Sequence, residues 1–396
     1  MTNDSVNTAI QIRDLLLAVA LACALGLVFL VDGPTEEKAP SHAQATSGDL
    51  LLKPSPKPMR MAVIPEIAEF DDMGRLLDSL GSAYGYRHTD FDALLDPSTL
   101  LKFDIVFITC SGYPQNWLGD GTGEERRGSD LYRPNPETFA RAKVALRGFV
   151  SDGGTLYASD LHYSLLAECF PEFVDYSLVA RGAMQKVQAK VIDPGLQEEI
   201  GTTIELTFDQ EKWASAALAG PGMTTYLEGT FKNTDGMERT TPLLVKFPHG
   251  KGSVIFTSFH NEKQNSDKEQ RLLEFLVFSA VTAGVDAEAG RQMAQGGFSA
   301  TKKNIFAASK DAESVTQTYE NQSQTDLQFV LAFPDQGAAL ELAVTGPDGA
   351  TIRKEGSATI TIDVPAAAAG SWTYSIKAIN VPSQNFPFTI TVGKKQ

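Results

Sequence analysis

Two short stretches of this sequence bring together side chains that are able to do nucleophilic and acid–base chemistry. Ser159 and Asp160 directly follow one short apolar run, and His260 and Glu262 directly follow another. A serine hydroxyl becomes a nucleophile when a histidine takes its proton, and a carboxylate then orients the imidazole. The sequence therefore offers Ser159, His260 and Glu262 as a candidate catalytic set.

The same residues allow other roles. Ser159 is also suited to be the N-cap of a helix that starts near Leu161, since serine is a preferred N-cap residue. His260 is equally suited to be a hydrogen-bonded core histidine. Cys110, at the end of a third apolar run, is another candidate nucleophile, but no sequence neighbour would lower its pKa.

A metal site is a further alternative. The spacings Asp160-x-His162 and His260-x-Glu262 supply two carboxylates and two imidazoles, which are ligands that Zn²⁺ accepts. This spacing is not diagnostic of any one metal. We expect no bound metal and no cofactor.

The pattern of region 59–288 indicates the scaffold that would position these side chains. Continuous apolar runs such as Phe103–Cys110 and Gly252–Phe259 alternate with helical patterns such as Pro136–Val150 and Lys268–Ala283. Such alternation predicts an α/β fold with a mostly parallel sheet that helices cover on both faces. The loops at the carboxyl ends of these strands should then converge on one edge.

Those loops resemble the class I glutamine amidotransferase-like superfamily. Phe103–Gly112 resembles its strand and oxyanion loop, Thr155–Asp160 lies where it has its nucleophile elbow, and Ser258–Glu262 resembles the segment with its triad histidine and acid. The resemblance implies an amidotransferase-like domain, with Ser111 and Gly112 as the oxyanion donors. The phrases around these loops also resemble uncharacterised membrane-anchored bacterial proteins of the superfamily, which implies no activity.

Two departures from the family pattern argue against catalysis. The family nucleophile is a cysteine, whereas the matching residue is Ser159. A tight elbow needs small neighbours, and Tyr157 and Leu161 are bulky. We therefore expect a degenerate fold with a binding or scaffolding role. The alternative is a serine hydrolase, an amidase or peptidase, that uses Ser159, His260 and Glu262.

A long glycine-rich insert, residues 112–134, follows the predicted oxyanion loop. Long loops at the carboxyl edge of a sheet often bind ligands, and exposed Trp and Arg are typical recognition residues. We interpret the insert as a candidate binding loop; the alternative is a loop folded back on its own aromatic residues. No helix follows its glycines directly, so it is not a dinucleotide-binding fingerprint. The candidate binding residues are Tyr113, Trp117, Arg126, Arg127 and Tyr132.

The N-terminus carries a membrane signal. Residues 15–31 are 17 consecutive apolar or glycine residues, the lower limit for a helix that spans a bilayer. A cleaved signal peptide fits less well because the nearest A-x-A motif, Ala43–Ala45, is distant. A lipoprotein cysteine at Cys23 fits less well because the apolar run continues beyond it. We predict a single-pass signal anchor in the bacterial inner membrane, with residues 1–14 cytoplasmic and the bulk of the chain periplasmic.

The remaining segments are predicted from composition and pattern. Residues 32–58 are rich in Pro and Ser, which is typical of an extended linker. Residues 289–311 lack a clear period and are predicted to be a second linker. Residues 312–396 contain about six alternating runs, which predicts a C-terminal all-β sandwich. This region resembles bacterial pre-peptidase C-terminal or immunoglobulin-like modules, which implies binding or spacing.

The charge balance restricts the partners. The 396 residues include 34 Lys and Arg against 49 Asp and Glu, a formal net charge of −15. Such a chain repels phosphate backbones and anionic lipid surfaces, so we expect no nucleic acid partner. Three cysteines exclude a disulfide-dense scaffold and a four-cysteine zinc site. We expect membrane contact through the N-terminal helix and a partner that is another envelope protein.

Overall fold

The structure is a computed structural model. It describes residues 59–81, 84–119, 135–309, 312–334 and 337–396. The predicted cytoplasmic tail, membrane helix and first linker lie outside these residues, as do Arg126, Arg127 and Tyr132. Within the described residues, no helix has both the length and the apolar character that crossing a membrane requires.

Eleven strands form the sheets of the α/β region in the part of the chain that the structure describes. They are β1 (Met61–Ile64), β2 (Tyr86–His88), β3 (Ile105–Ile108), β4 (Thr155–Ser159), β5 (Val174–Gly182), β6 (Gln185–Val191), β7 (Thr203–Phe208), β8 (Trp213–Leu218), β9 (Thr224–Lys232), β10 (Glu238–His249) and β11 (Gly252–Thr257). Nine of them form one sheet in the order β2-β1-β3-β4-β11-β10-β9-β6-β7, and β5 pairs with β8 separately.

The nine-stranded sheet is mixed. Strands β2, β1, β3, β4 and β11 run parallel to one another. The hairpin strands β10, β9, β6 and β7 continue the sheet with antiparallel pairing. The predicted α/β class with a parallel-containing sheet is therefore confirmed, but the sheet is only about half parallel, because short connections allow successive strands to pair as hairpins.

Helices cover both faces of this sheet. They are α1 (Met73–Leu80), α2 (Pro97–Leu100), α3 (Pro136–Ser151), α4 (Tyr163–Cys169), α5 (Pro194–Ile200) and α6 (Asp267–Gln295). Side chains alternate between the faces of a strand. Met61 and Val63 of β1 pack in the cluster that contains residues of α1, α5 and α6, whereas Ala62 and Ile64 pack in the cluster with α3 and α4.

The C-terminal region is all-β, as predicted. Its strands are β12 (Phe298–Ala308), β13 (Val315–Asn321), β14 (Thr325–Ala332), β15 (Ala339–Thr345), β16 (Thr351–Gly356), β17 (Ile360–Ala367), β18 (Gly370–Asn380) and β19 (Phe386–Lys395). They form two four-stranded antiparallel sheets, β12-β19-β14-β17 and β13-β18-β15-β16. Phe329 of one sheet and Tyr374 of the other lie in a shared apolar core, which makes the region a sandwich.

The predicted linker at residues 289–311 is wrong. Helix α6 continues to Gln295, and strand β12 begins at Phe298. Ala289 and Met293, four residues apart on α6, pack against Val330 and Ala332 of the sandwich. Two apolar positions are too few to produce a recognisable helical periodicity in the sequence. They are nevertheless the positions at which the helix packs on the sheet.

Candidate functional site

The turn that follows β4 places Asp160, rather than Ser159, at the elbow position. Ser159 has extended backbone angles, whereas Asp160 has a φ of 43°, in the left-handed region. Aspartate tolerates this region better than most residues. A nucleophile elbow holds its reactive residue in such a strained strand-to-helix turn. The chain therefore presents a carboxylate at this point.

Ser159 makes neither of the contacts that the sequence suggested. Its side chain is fully buried, and its Oγ accepts a hydrogen bond from the Cys110 N–H at 2.9 Å and lies 3.4 Å from Asp71 Oδ2. It makes no side-chain cap hydrogen bond. No hydrogen bond joins it to either ring nitrogen of His260, so the predicted Ser159–His260–Glu262 set is not assembled.

His260 lies between two carboxylates. Its Nδ1 lies 2.9 Å from Asp209 Oδ1, and its Nε2 lies 3.2 Å from Asp160 Oδ2. Burial alone would lower the pKa of His260, but the hydrogen bond and charge of Asp160, with the charges of Asp71 and Asp209, raise it to about 9. His260 is therefore a buried imidazolium at neutral pH. Glu262, which was predicted to orient the imidazole, is exposed. Asp209 contacts the imidazole instead.

Strand β8 contacts one side-chain oxygen of Asp160, and Cys110 lies near the other. The Ala214 N–H of this strand donates a hydrogen bond to Asp160 Oδ1 at 2.5 Å. On the opposite side, Cys110 Sγ lies 3.6 Å from Asp160 Oδ2. Burial, followed by the charge of Asp160, raises the pKa of Cys110 well above its usual value. The Cys110 thiol is therefore protonated and unsuited to act as a nucleophile.

Asp71, in the loop after β1, contacts the last residue of β4, Ser159, and the loop after β11. Its Oδ1 accepts the Asn261 N–H at 2.8 Å, and its Oδ2 accepts Asn261 Nδ2 at 3.3 Å. Burial raises the pKa of Asp71 to about 6, although the charge of His260 opposes this shift. One buried carboxylate thus joins the loop after β1, the end of β4 and the loop after β11, and these segments converge at the carboxyl ends of the strands, as the sequence indicates.

The predicted oxyanion donors have other partners. The Gly112 N–H donates to Glu69 Oε2 at 2.6 Å, and Ser111 Oγ lies 3.3 Å from His162 Nε2. His162 Nε2 also lies 2.9 Å from the carbonyl oxygen of Thr109, which it reaches as a donor. Burial lowers the pKa of His162 to about 4. His162 is therefore a neutral core histidine, and Ser111 and Gly112 do not form an open oxyanion hole.

Tyr113 and Trp117 belong to the core rather than to an exposed binding loop. Both are buried, and their rings stack with centroids 5.9 Å apart. Phe91 and Phe139 pack against them. This part of the insert is folded onto its own aromatic residues, and the prediction of Tyr113 and Trp117 as surface recognition residues is wrong.

Three side chains are close enough to hold one cation. Ligand atoms of Cys110, Asp160 and His260 all lie within 4.8 Å of one another, and all three residues are buried. Of the metal ligands considered from the sequence, Asp160 and His260 meet, whereas His162 faces the Thr109 carbonyl and Glu262 is exposed. Cys110 is the third residue of this group.

Sequence reasoning missed Asp71 and Asp209. Asp209 directly follows β7, and Asp71 lies a few residues beyond β1. An acidic residue shortly after a buried strand is a weak signal for a site at the sheet edge, and both residues carry it.

No family model matches this chain, and no curated protein matches it. Similar solved structures include the cytoplasmic protein STM1381 from Salmonella typhimurium LT2, at 15% identity and a TM-score of 0.32, which covers 51% of this chain and 88% of that one. A glutamine amidotransferase from Thermotoga maritima has 13% identity and a TM-score of 0.32, with 61% and 94% covered.

Proposed function

We propose that this chain is a membrane-anchored binding or scaffold protein whose α/β region is a degenerate amidotransferase-like domain. One observation carries the proposal: the elbow position holds Asp160, which is buried and paired with His260. An elbow in a working hydrolase presents a free nucleophile to a base. Here the residue in that place is engaged in an ion pair.

The serine hydrolase alternative lacks support from the contacts. Both ring nitrogens of His260 face carboxylates, those of Asp160 and Asp209. A general base must accept the hydroxyl proton within hydrogen-bond reach. Ser159 Oγ instead faces the Cys110 N–H and Asp71. The Gly112 N–H and the Ser111 hydroxyl also have other partners, Glu69 and His162.

A surface that suits a binding role lies in the loop between β1 and α1. Ile67 is 80% exposed and Phe70 is 40% exposed in this loop, and Glu66 and Glu69 are exposed beside them. Two exposed apolar side chains next to two carboxylates are complementary to a partner surface with apolar and basic side chains. The proposed partner is another envelope protein, since the N-terminal apolar run is proposed to anchor the chain with its bulk on the periplasmic side.

The catalytic question is tested with a serine-directed fluorophosphonate probe on the full-length chain in detergent. The proposal expects no labelling of the wild type and none of the Ser159→Ala variant. Stoichiometric labelling that disappears in Ser159→Ala would support the hydrolase and overturn the proposal.

The binding surface is tested by affinity capture from membranes. Ile67→Asp together with Phe70→Asp should abolish capture of the envelope protein that the wild type retains. Val144→Asp is the matched control, because Val144 is 70% exposed but lies on α3. Equal capture by all three chains would refute this surface.

A further inference from the structure

We infer that Cys110, Asp160 and His260 form a binding site for one Zn²⁺ ion at the carboxyl edge of the sheet. Each residue follows a different parallel strand, β3, β4 or β11, so the parallel part of the sheet itself brings the ligands together. The inference is independent of the binding role proposed above.

The spacing of the ligand atoms fits a tetrahedral ion. Zinc lies about 2.3 Å from sulfur and about 2.1 Å from nitrogen or oxygen, so tetrahedral angles place sulfur and oxygen about 3.6 Å apart and nitrogen and oxygen about 3.4 Å apart. Cys110 Sγ lies 3.6 Å from Asp160 Oδ2, and His260 Nε2 lies 3.2 Å from the same oxygen. The two distances are therefore within about 0.2 Å of the lengths that a tetrahedral ion requires.

The surroundings orient these ligands as metal sites require. A zinc-bound histidine usually donates its other ring N–H to a carboxylate. His260 Nδ1 lies 2.9 Å from Asp209 Oδ1, which would leave Nε2 to face the ion. The Ala214 N–H holds Oδ1 of Asp160, so that Oδ2 faces Cys110 and His260.

The local charge favours a cation. Asp160 and Asp209 contact the His260 ring, and Asp71 accepts hydrogen bonds from the adjacent residue, Asn261. Lys263 Nζ approaches the outer oxygen of Asp209 at 3.8 Å. Buried carboxylates that exceed their cationic partners are costly. Zn²⁺ would displace one proton from the Cys110 thiol and one from the His260 ring to solvent. The resulting thiolate and the Asp160 carboxylate would then balance its two charges beside a neutral His260, and such a sulfur, nitrogen and oxygen donor set suits this ion.

Cobalt provides the test, because a Co²⁺–thiolate bond gives an ultraviolet charge-transfer band. The full-length chain, purified without a histidine tag and stripped with chelator, is titrated with Co²⁺ and then with Zn²⁺. We expect one equivalent of Co²⁺ to produce the band and Zn²⁺ to remove it. Folded wild-type chain that shows no band and retains no Zn²⁺ would overturn the inference without any variant.

The variants locate the site. Cys110→Ser should lose the band, whereas Cys169→Ser should keep it, because Cys169 is the other buried cysteine of the described residues and lies on α4. Asp209→Asn, which changes a positioning residue, should weaken Zn²⁺ affinity by about 10–100-fold while the cobalt band persists. An unchanged band in Cys110→Ser, or equal loss in Cys169→Ser, would refute the assignment.

Discussion

Two buried charge clusters among the residues that the structure describes differ in composition. At the junction with the sandwich, Asp286 of α6 faces two ammonium groups: Lys246 Nζ of β10 at 3.5 Å and Lys303 Nζ of β12 at 3.0 Å. At the sheet edge, the carboxylates of Asp160 and Asp209 contact the imidazole of His260, and the charge of Asp71 also acts on it. The first cluster has more cations than anions, and the second has the reverse.

This difference separates a structural cluster from one that is able to accept a ligand. Burial raises the pKa of Asp286, but the charges of Lys246 and Lys303 outweigh this effect and lower it, so the carboxylate stays ionised. Its partners come from the α/β region and from the sandwich, and the cluster joins the two. The cluster around His260 joins loops of a single sheet and retains uncompensated acids.

The largest effect is expected at the junction. Asp286→Ala would leave Lys246, whose side chain is 11% exposed, without a carboxylate partner. Removal of one member of a buried ion pair costs about 3–5 kcal/mol. Urea unfolding of the full-length chain should show this loss, and limited proteolysis should then cut within residues 289–311. An unchanged midpoint with unchanged proteolysis would mean that the junction cluster does not hold the sandwich.

His162 should make the stability depend on acid pH. Its pKa is lowered to about 4, against about 6.5 in an unfolded chain. Between these values the unfolded chain binds a proton that the folded chain excludes, so stability falls as pH decreases from about 6.5 to about 4. The expected loss is about 3 kcal/mol.

The measurement for His162 is a comparison of unfolding free energies across that pH range. In His162→Asn the pH dependence should be weaker by about 3 kcal/mol, whatever the mean stability of the variant. Parallel curves for the two proteins would show that His162 is not a buried neutral histidine.

Ser159→Ala should have an intermediate effect. It removes the acceptor of the buried Cys110 N–H, and an unsatisfied buried donor costs about 1–3 kcal/mol. Ser79→Ala on the exposed face of α1 is the control, with an expected change within about 0.5 kcal/mol. Thermal unfolding distinguishes the two; equal midpoints would contradict the buried role of Ser159.

The smallest effect is expected for a surface pair. Glu341→Ala removes the partner of Arg353, whose side chain is 62% exposed, and such pairs contribute about 0–1 kcal/mol. The stability loss of this variant is therefore the reference for an exposed ion pair, against which the loss in Asp286→Ala is compared. If urea unfolding gave similar losses for both, burial would not explain the difference between the two ion pairs.

The strands could be predicted from the sequence better than the site could. Phe103–Cys110 contains β3 and Thr155–Ala158 lies within β4, because buried strands leave continuous apolar runs. The residues that contact His260 and Ser159 are distant in the sequence, so no local pattern indicates these contacts. Asp209 is 51 positions away from His260, and Asp71 is 88 positions away from Ser159.

The backbone explains why the elbow lies at Asp160, one residue after Ser159, the residue predicted from the sequence. The apolar run ends before Ser159, and the β4 pairing with β11 extends through Ser159 itself. The left-handed turn therefore falls on Asp160. Hydrophobic pattern fixes the approximate position of a strand, whereas its last paired residue depends on the neighbouring strand, which the local sequence does not contain.

The strand order of the sandwich has a consequence for the sequence of events during synthesis. Strand β12 hydrogen-bonds to β19 in its sheet, and β19 lies between β12 and β14. The first residue of β19 is 88 positions after the first residue of β12. A ribosome adds about 5–20 residues per second, and domains fold as they emerge. The sheet edge around His260 can therefore fold first. Strand β12 is synthesised several seconds before β19, the strand with which it pairs.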